Sequence, residues 1–183
     1  MEASVKLFSE RGYRHTTTKM IADSAGVNEV TLFRQFGSKE GIVKGIIESR
    51  STGRREVEFV LNQGSTGEIY QDLLAAAKIQ YKYIAENINL IVTLVQEHST
   101  GDISQLVAQL PRNGKQILKT YFERMQAEGV MKKIDTEQAA LLFLTPNFGL
   151  AFLKVVLGDA VTDIAPDKYI EEMVKNFVIE YFI

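Results

Sequence analysis

Apolar residues recur three and four positions apart along almost the whole chain, and runs of alternating β-branched residues bounded by turns are nearly absent. Spacing of three and four places side chains on one face of an α-helix, whereas alternation is typical of a half-buried strand. The pattern therefore predicts an all-α fold. No segment of roughly 20 to 50 residues repeats, which argues against a solenoid.

Four short helices are predicted within the first fifty residues. Glycines close the first three of them, namely Gly12, Gly26 and Gly37, because glycine tolerates the left-handed backbone of a helix end. Side chains that cap helix N-termini open the last three, namely the run Thr16-Thr17-Thr18, then Asn28, then Ser38. A domain boundary is predicted near residue 50, which gives a head (1–50) and a body (51–183).

The body is predicted to consist of longer helices joined by breaks. Two segments rich in turn residues are interpreted as linkers around a short apolar piece of uncertain type, namely 51–55 and 62–67. The apolar spacing predicts helices over about 70–86 and 90–98, a break near 101–102 and more helix toward 110. It also predicts helices over about 111–128 and 137–157, and a last helix from Pro166. Pro111 and Pro166 are placed at helix starts because proline favours the first helical position, and Thr136 is placed at an N-cap.

Composition narrows the chemistry. The 183 residues carry a net charge of -2 and include no cysteine, which excludes disulfide scaffolds, thiolate zinc sites, iron–sulfur clusters and cysteine nucleophiles. The head has eight basic and six acidic side chains, whereas acidic residues outnumber basic ones in the body. A slightly basic head on an acidic body fits a head that binds a polyanion.

Neither a secretion signal nor a membrane segment is predicted. The first residues alternate charges in place of a long apolar core, unlike a signal peptide. The longest apolar stretch, 139–157, is of membrane-spanning length but contains Pro146, Asn147 and Lys154, which lipid would leave unsatisfied. We interpret it as a buried helix of a cytoplasmic protein.

Residues 16–36 have the layout of a helix-turn-helix, with a short helix, a tight turn and a second short helix. Ala22 and Ala25 are small enough for the helices to cross closely, and Gly26 tolerates the left-handed turn. The outward face of the second helix is then free to enter a major groove, which accepts one helix. That face carries Glu29, Val30, Thr31, Phe33 and Arg34.

Further residues at fixed spacing make this pattern specific. They include Gly12, Tyr13, Thr16, Thr17, Ile21, Ala22, Gly26, Val27, Asn28, Thr31, Leu32, Phe33, Phe36, Ser38, Lys39 and Glu40. With them the head resembles the N-terminal DNA-binding domain of the tetracycline-repressor (TetR) family of bacterial transcriptional regulators. The body matches that family only in being helical and of suitable length. The first helix is short for the family, so we expect the chain to begin within it.

The resemblance implies a ligand-responsive regulator, most often a repressor, that binds a palindromic operator in double-stranded DNA as a homodimer. It implies DNA contacts from Thr17, Thr18, Asn28, Glu29, Val30, Thr31, Phe33, Arg34 and Lys39. In the family, positions matching Thr17 and Thr18 contact the DNA backbone, and the lysine matching Lys39 grips phosphate. Phe33 stands where a tyrosine is usual and lacks its hydroxyl, so its ring is left to contact a thymine methyl or a sugar.

Several of these residues also have a purely structural interpretation. Arg34 contacts DNA or is a solvated charge, and Glu29 accepts from a cytosine amino group or serves the helix dipole. Thr16 either contacts DNA or only caps a helix. Thr31 either contacts DNA or only forms a hydrogen bond to the backbone of its own helix. Lys39 gains nothing from the positive end of its helix, which favours a phosphate contact.

The last two helices are predicted to form the dimer interface. The final helix has an apolar stripe that is too wide for one neighbour, and the resemblance implies that it pairs with the preceding helix in a four-helix interface. The alternative is that both helices close the monomer core. The predicted interface residues are Leu142, Phe152, Val156, Ile170, Val174, Phe177, Val178 and Tyr181.

An effector pocket is predicted in the body, whose middle helices are rich in aromatic and amide side chains. Such side chains suit a small-molecule pocket between helices, although plain core packing is the alternative. We expect a mainly apolar or aromatic effector whose binding moves the fourth helix, as the resemblance implies. The candidate ligand-binding residues are Tyr81, Gln96, His98, Phe122, Asn147 and Phe148.

No catalytic residue, metal site or cofactor is predicted. His15 and His98 are far apart, and Asp159, Asp163 and Asp167 lack the pattern of a calcium loop. Phosphate loops, nucleophile elbows and zinc-protease motifs are absent from the sequence. The rival interpretation is a helical small-molecule-binding or enzymatic protein whose head is vestigial.

Overall fold

The computed structural model describes residues 1–50, 52–62, 66–96 and 101–183. Across these ranges the chain is helical, with one isolated antiparallel bridge between Met131 and Phe182 and no strand. The helices are α1 (Glu2–Arg11), α2 (Thr18–Ala25), α3 (Glu29–Phe36), α4 (Lys39–Ser49), α5 (Thr52–Asn62), α6 (Ile69–Gln96), α7 (Gly101–Ala127), α8 (Thr136–Val156) and α9 (Pro166–Tyr181). The predicted all-α class is confirmed.

Local caps fix the bounds of the first helices. Three side chains accept a first-turn N–H, namely Thr17 from Met20 at 3.2 Å, Asn28 from Val30 at 2.8 Å and Ser38 from Gly41 at 3.0 Å. Gly26 ends α2 in the left-handed region, with φ of 66°. These predicted starts and ends are confirmed because each cap satisfies a backbone group that the helix itself leaves unpaired.

Two predicted breaks in the body are wrong. Residues 52–55 were predicted to be a linker and instead begin α5, and the gap predicted between 86 and 90 lies inside the continuous helix α6. Asn87 explains the second error, because its side-chain nitrogen donates to Tyr83 O one turn back at 2.7 Å and so satisfies a buried amide within the helix. The predicted linker at 62–67 lies partly outside the described residues.

Two predicted helix starts are also wrong. Pro111 lies inside α7, where an exposed proline removes one backbone donor without ending the helix. Asp135, and not Thr136, caps α8, because its carboxylate accepts the N–H groups of both Glu137 and Gln138, at 2.8 and 3.1 Å. Pro166 opens α9 as predicted.

The chain divides into two compact units. Unit 1 comprises Met1–Ser51 and Asn89–Leu110, and unit 2 comprises Thr52–Ile88 and Pro111–Ile183. The core of unit 1 joins side chains of α1–α4 to residues far along the chain, namely Leu90, Leu94, Ile103 and Val107. The core of unit 2 is aromatic, and Phe122 stacks on Phe177 with ring centroids 5.4 Å apart.

Candidate functional site

Buried side chains hold α2 and α3 as a helix-turn-helix. Ile21 and Ala22 of α2 and Leu32 of α3 belong to the core of unit 1. Across the turn, Val27 N–H donates to Ala22 O at 3.0 Å. Because these contacts fix the inner face of α3, its opposite face is presented to solvent.

The solvent-facing side of α3 combines charged and apolar residues. Glu29, Val30, Phe33 and Arg34 are all exposed at helical spacing, and Val30 and Phe33 keep 73% and 60% of their surface accessible. Apolar side chains this exposed gain little from folding, whereas a thymine methyl in a major groove offers them a partner. The face has the composition of a DNA-reading surface.

The hydrogen-bonding groups of Asn28, Thr31 and Arg34 are placed where DNA can reach them. Asn28 is exposed, and its amide oxygen is occupied by the cap, which leaves its amino group as the donor. Thr31 is exposed and makes no side-chain hydrogen bond to any described residue, so no backbone bond occupies its hydroxyl. Arg34 likewise forms no ion pair with the described residues.

The three adjacent threonines have different roles. Thr16 is buried and donates to Gly12 O at 2.8 Å, so it is a structural residue and neither a cap nor a DNA contact. Thr17 is exposed and only accepts in its cap, which leaves its hydroxyl hydrogen for a phosphate. Thr18 donates its one hydroxyl hydrogen to Glu29 Oε1 at 2.7 Å and thereby links α2 to α3.

Lys39 makes structural contacts within the head that were not predicted. Its Nζ donates to Tyr13 O at 2.9 Å and to Thr16 O at 3.1 Å, and it lies 4.1 Å from the centroid of the Tyr13 ring. Backbone carbonyls and an aromatic face thus surround the ammonium group. Lys39 ties the α1–α2 corner to α4 in the DNA-free chain, and its predicted phosphate contact stays a prediction.

Tyr13 makes a second bond across the same corner. Its hydroxyl donates to Glu40 Oε1 at 2.7 Å. This hydrogen bond, more than any other contact, lowers the pKa of the Glu40 carboxyl below its ordinary value, because it stabilises the charged form. Tyr13 and Glu40 were recognised in the sequence only as pattern residues, with no role attached.

Two glycines of α4 were missed by the sequence analysis. A Cβ at Gly41 would lie 1.8 Å from Phe36 O, and a Cβ at Gly45 would lie 2.9 Å from Phe36 Cε1. Their spacing of four residues on one helix was the available signal, because it places both on the same face. They let the end of α3 pack directly on α4.

The predicted ligand-binding residues differ in their burial, and their role stays a prediction. Phe122 is fully buried in the aromatic core, Gln96 and Phe148 are exposed, and Tyr81 is half-buried. Burial raises the pKa of the Tyr81 hydroxyl. His98 lies outside the described residues. Their burial could not be predicted, because helical spacing alone does not show which neighbouring helix each face contacts.

Asn147 is the buried polar residue among the described candidates. It is fully buried on α8, and its side-chain nitrogen donates to Ala77 O at 3.1 Å and to Gln80 Oε1 at 2.9 Å. Its Oδ1 is buried without a hydrogen-bond partner among the described residues. An unsatisfied buried acceptor costs stability, so this oxygen is a place where a donor group gains free energy by binding.

A shallow groove of about 480 Å³ opens between α5 and α6. Its lining is mainly apolar, with Phe59, Val60 and Ile79 flanked by Arg55 and Glu56. None of the predicted ligand-binding residues lines it. Groups of three or more side chains suited to a metal are absent from the described part of the chain.

The predicted dimer residues divide into two sets. Leu142 and Val156 are 46% and 40% exposed, and Phe152, Val178 and Tyr181 are half-buried. Ile170, Val174 and Phe177 are buried in the core of unit 2, so their assignment to an interface is wrong. They face α9's neighbours within the monomer, and the exposed apolar face belongs mostly to α8.

Helix α8 is long and apolar enough to cross a membrane, and only about 33% of its most apolar stretch is buried, so the interpretation of this segment as a buried helix holds for only part of it. Length and composition alone do not distinguish a membrane span from a helix with an apolar face that another protein surface covers.

Comparison with known proteins agrees with this geometry. Residues 1–46 match the family described as bacterial regulatory proteins, tetR family, and residues 74–182 match the AefR-like transcriptional repressor, C-terminal domain. The HTH-type transcriptional regulator YvkB of Bacillus subtilis (strain 168) is 30% identical over 179 residues, which is 97% of this chain and 93% of YvkB.

Solved structures share the fold over nearly the whole length. The flavonoid-responsive regulator FrrA superposes with a TM-score of 0.74 at 22% identity, covering 99% of this chain and 94% of FrrA. FadR of Bacillus subtilis, solved in complex with stearoyl-CoA, gives 0.75 at 19% identity and 94% coverage of both chains. With a capped helix-turn-helix at one end and a family match across most of the remainder, this chain belongs to the TetR family of bacterial transcriptional regulators.

Proposed function

We propose that the protein is a repressor that binds a palindromic operator as a homodimer and leaves it when a small molecule binds. The observation that carries the proposal is the exposed face of α3, on which Val30 and Phe33 are open to solvent beside Arg34. The caps at Thr17 and Asn28 pre-form this face before DNA arrives. Residues 1–50 then read DNA, and 51–183 carry the effector and the dimer contact.

The test is selection from a library of random duplexes, followed by affinity measurements on the enriched sequence. We expect an inverted repeat, since two recognition helices related by a two-fold axis read two half-sites. Arg34→Ala should weaken binding to that sequence by roughly 5- to 150-fold for each half-site, the range of one base contact. Arg54→Ala, which removes an equally exposed arginine from α5, is the control. If the selection enriches no sequence at all, the proposal is contradicted.

The dimer is supported by the surface of α8. This helix carries exposed large apolar residues, namely Leu141, Leu142, Phe148, Val155 and Val156. An apolar face that a single chain leaves exposed to water marks an interaction site. A second copy covering this face accounts for the hydropathy of α8 without a membrane. This fits a protein of the cytoplasm, where the operator is found.

The effector is proposed to be a mainly apolar or aromatic compound bound in the body. Its support is that a flavonoid-responsive regulator and a stearoyl-CoA complex are among the proteins that share the fold. Because Phe122 and Asn147 are fully buried, a ligand that contacts them has to open space between helices. Asn147 Oδ1 then favours a ligand that brings a hydrogen-bond donor.

Thermal-shift measurements with stearoyl-CoA and with a flavonoid test the effector class, with free coenzyme A as control. A compound that stabilises the protein is then titrated with operator DNA present and absent. A releasing ligand must bind the DNA-free form more tightly, typically by about 1–3 kcal/mol. Equal affinity in both states would contradict release by that compound.

A further inference from the structure

Glu29 and Thr18 form a hydrogen-bonded pair at the surface that is proposed to face DNA. Thr18 is the first residue of α2 and Glu29 is the first residue of α3. Thr18 Oγ1 lies 2.7 Å from Glu29 Oε1, and the bond is exposed. The hydroxyl of one helix therefore holds the carboxylate at the leading end of the other.

The bond distinguishes two roles for Glu29. An acidic residue in a first turn stabilises its own helix through the dipole and the free N–H groups. Here Asn28 already accepts the Val30 N–H, and the Glu29 carboxylate is directed to α2. The carboxylate is therefore held in place by α2 and does not serve as the cap of α3.

A carboxylate in a major groove discriminates sharply between bases, because it accepts hydrogen bonds and donates none. Guanine and thymine present acceptors there, and adenine presents an acceptor beside its amino group. Cytosine presents only its amino donor. A fixed carboxylate at this position is attracted to cytosine and repelled by the acceptor edges of the other bases.

We propose that Glu29 selects a cytosine in each half of the operator and that Thr18 is its positioning residue. Thr18 has one hydroxyl hydrogen, and donating it to Glu29 removes it from a phosphate contact. Thr17, whose hydroxyl hydrogen is not used by its cap, makes the phosphate contact instead. The assignment rests on the proposed function, since it requires α3 to enter the groove.

The experiment compares base preferences selected from random duplexes by the full-length wild type and by Glu29→Gln. The amide keeps the size of the side chain and adds a donor, which suits adenine. We expect one position in each half-site to change from cytosine to adenine, with the other positions unchanged. On the wild-type operator, replacing that cytosine should weaken binding about fivefold or more, as for one base contact.

The control is Glu48→Gln, which removes an equally exposed carboxylate from α4. It should leave the base preferences as they are. If Glu29→Gln also leaves them unchanged, the assignment of Glu29 is overturned, while sequence-specific binding still supports the proposed function. If the wild type itself enriches no sequence, the proposed function fails together with the assignment.

Thr18 is tested by Thr18→Val and Thr18→Ser, which remove and retain the hydroxyl. Valine should relax the preference at the cytosine position alone, and serine should restore it. A uniform loss of affinity in Thr18→Val across all sequences, with a shallower salt dependence, would instead identify Thr18 as a phosphate contact and overturn its positioning role.

Discussion

Lys39 and Tyr13 show how single side chains in the head are engaged by the fold itself. The Lys39 ammonium binds two backbone carbonyls, and the Tyr13 hydroxyl binds Glu40. Both bonds join the α1–α2 corner to α4. The same corner precedes Thr17 and Thr18, so these bonds also set the position of the residues proposed to meet DNA.

Replacing Lys39 should therefore act first on stability. We expect Lys39→Met to lower the free energy of unfolding by about 1–2 kcal/mol, because two carbonyls lose a charged donor in a partly exposed place. Urea denaturation measures the effect. Lys44→Met removes an exposed lysine of the same helix and should change stability little. A Lys39→Met variant that keeps its stability, and whose DNA binding has a shallower salt dependence, would support the phosphate contact over the structural role.

The Glu40 carboxyl makes the stability of the head depend on pH in the acid range. Its pKa is lower in the folded protein than the ordinary 4.5, so the folded form binds the proton less tightly than the unfolded form. The stability it contributes is present above about pH 4.5 and is lost as the pH falls through the folded pKa. Solvent screens this partly exposed group, so we expect less than about 1 kcal/mol.

Urea denaturation of the wild type and of Tyr13→Phe, at neutral and at acid pH, measures this dependence. Tyr13→Phe should reduce the loss of stability on acidification, because it removes the main cause of the lowered pKa. In a Glu40→Gln background the same substitution should leave the pH dependence unchanged. An equal effect in both backgrounds would contradict the assignment to Glu40.

At the scale of helices, the packing of α3 on α4 depends on the absence of side chains at two positions. Gly41 faces a backbone carbonyl, which cannot move without displacing α3, whereas Gly45 faces the edge of the Phe36 ring. A ring can rotate or shift, and a carbonyl at a helix end is fixed by its neighbours. A side chain added at Gly41 is therefore tolerated less well than one added at Gly45.

Gly41→Ala should lower the free energy of unfolding by about 2 kcal/mol or more, through strain at the α3–α4 junction. Gly45→Ala should cost less, since the Phe36 ring can shift to make room for the methyl group. Gly114→Ala is the control, because its Cβ would meet Leu144 at an ordinary 3.4 Å; it should be neutral or slightly stabilising. Equal stability of the Gly41 and Gly114 variants would contradict the packing argument.

At the scale of the whole molecule, α8 and α9 use their apolar residues differently. Ile170, Val174 and Phe177 of α9 close the core of unit 2, while Leu142 and Val156 of α8 remain exposed. A charged residue on α9's buried face must therefore unfold the body. A charged residue on the exposed face of α8 leaves the monomer folded and disrupts only the contact with a partner that covers this face.

We expect the double variant Leu142→Glu, Val156→Glu to remain folded and to sediment as a monomer at micromolar concentration, where the wild type sediments as a dimer. Like charges brought together and desolvated at the interface account for the dissociation. Val174→Glu is the contrast, and circular dichroism should show it unfolded because the core cannot satisfy a charge. A wild-type protein that sediments as a monomer would contradict the dimer.

The sequence by itself determined the features that depend on a few neighbouring residues. The caps at Thr17, Asn28 and Ser38 and the turn at Gly26 follow from contacts between residues a few positions apart, so their pattern in the chain was sufficient. Tertiary structure decided what depends on residues far apart: the bonds of Lys39, the burial of Ile170 and Val174, and the packing of Leu90 and Ile103 with the head. Helical periodicity shows that a face is apolar, and only the arrangement of distant helices determines whether the protein's own core covers it.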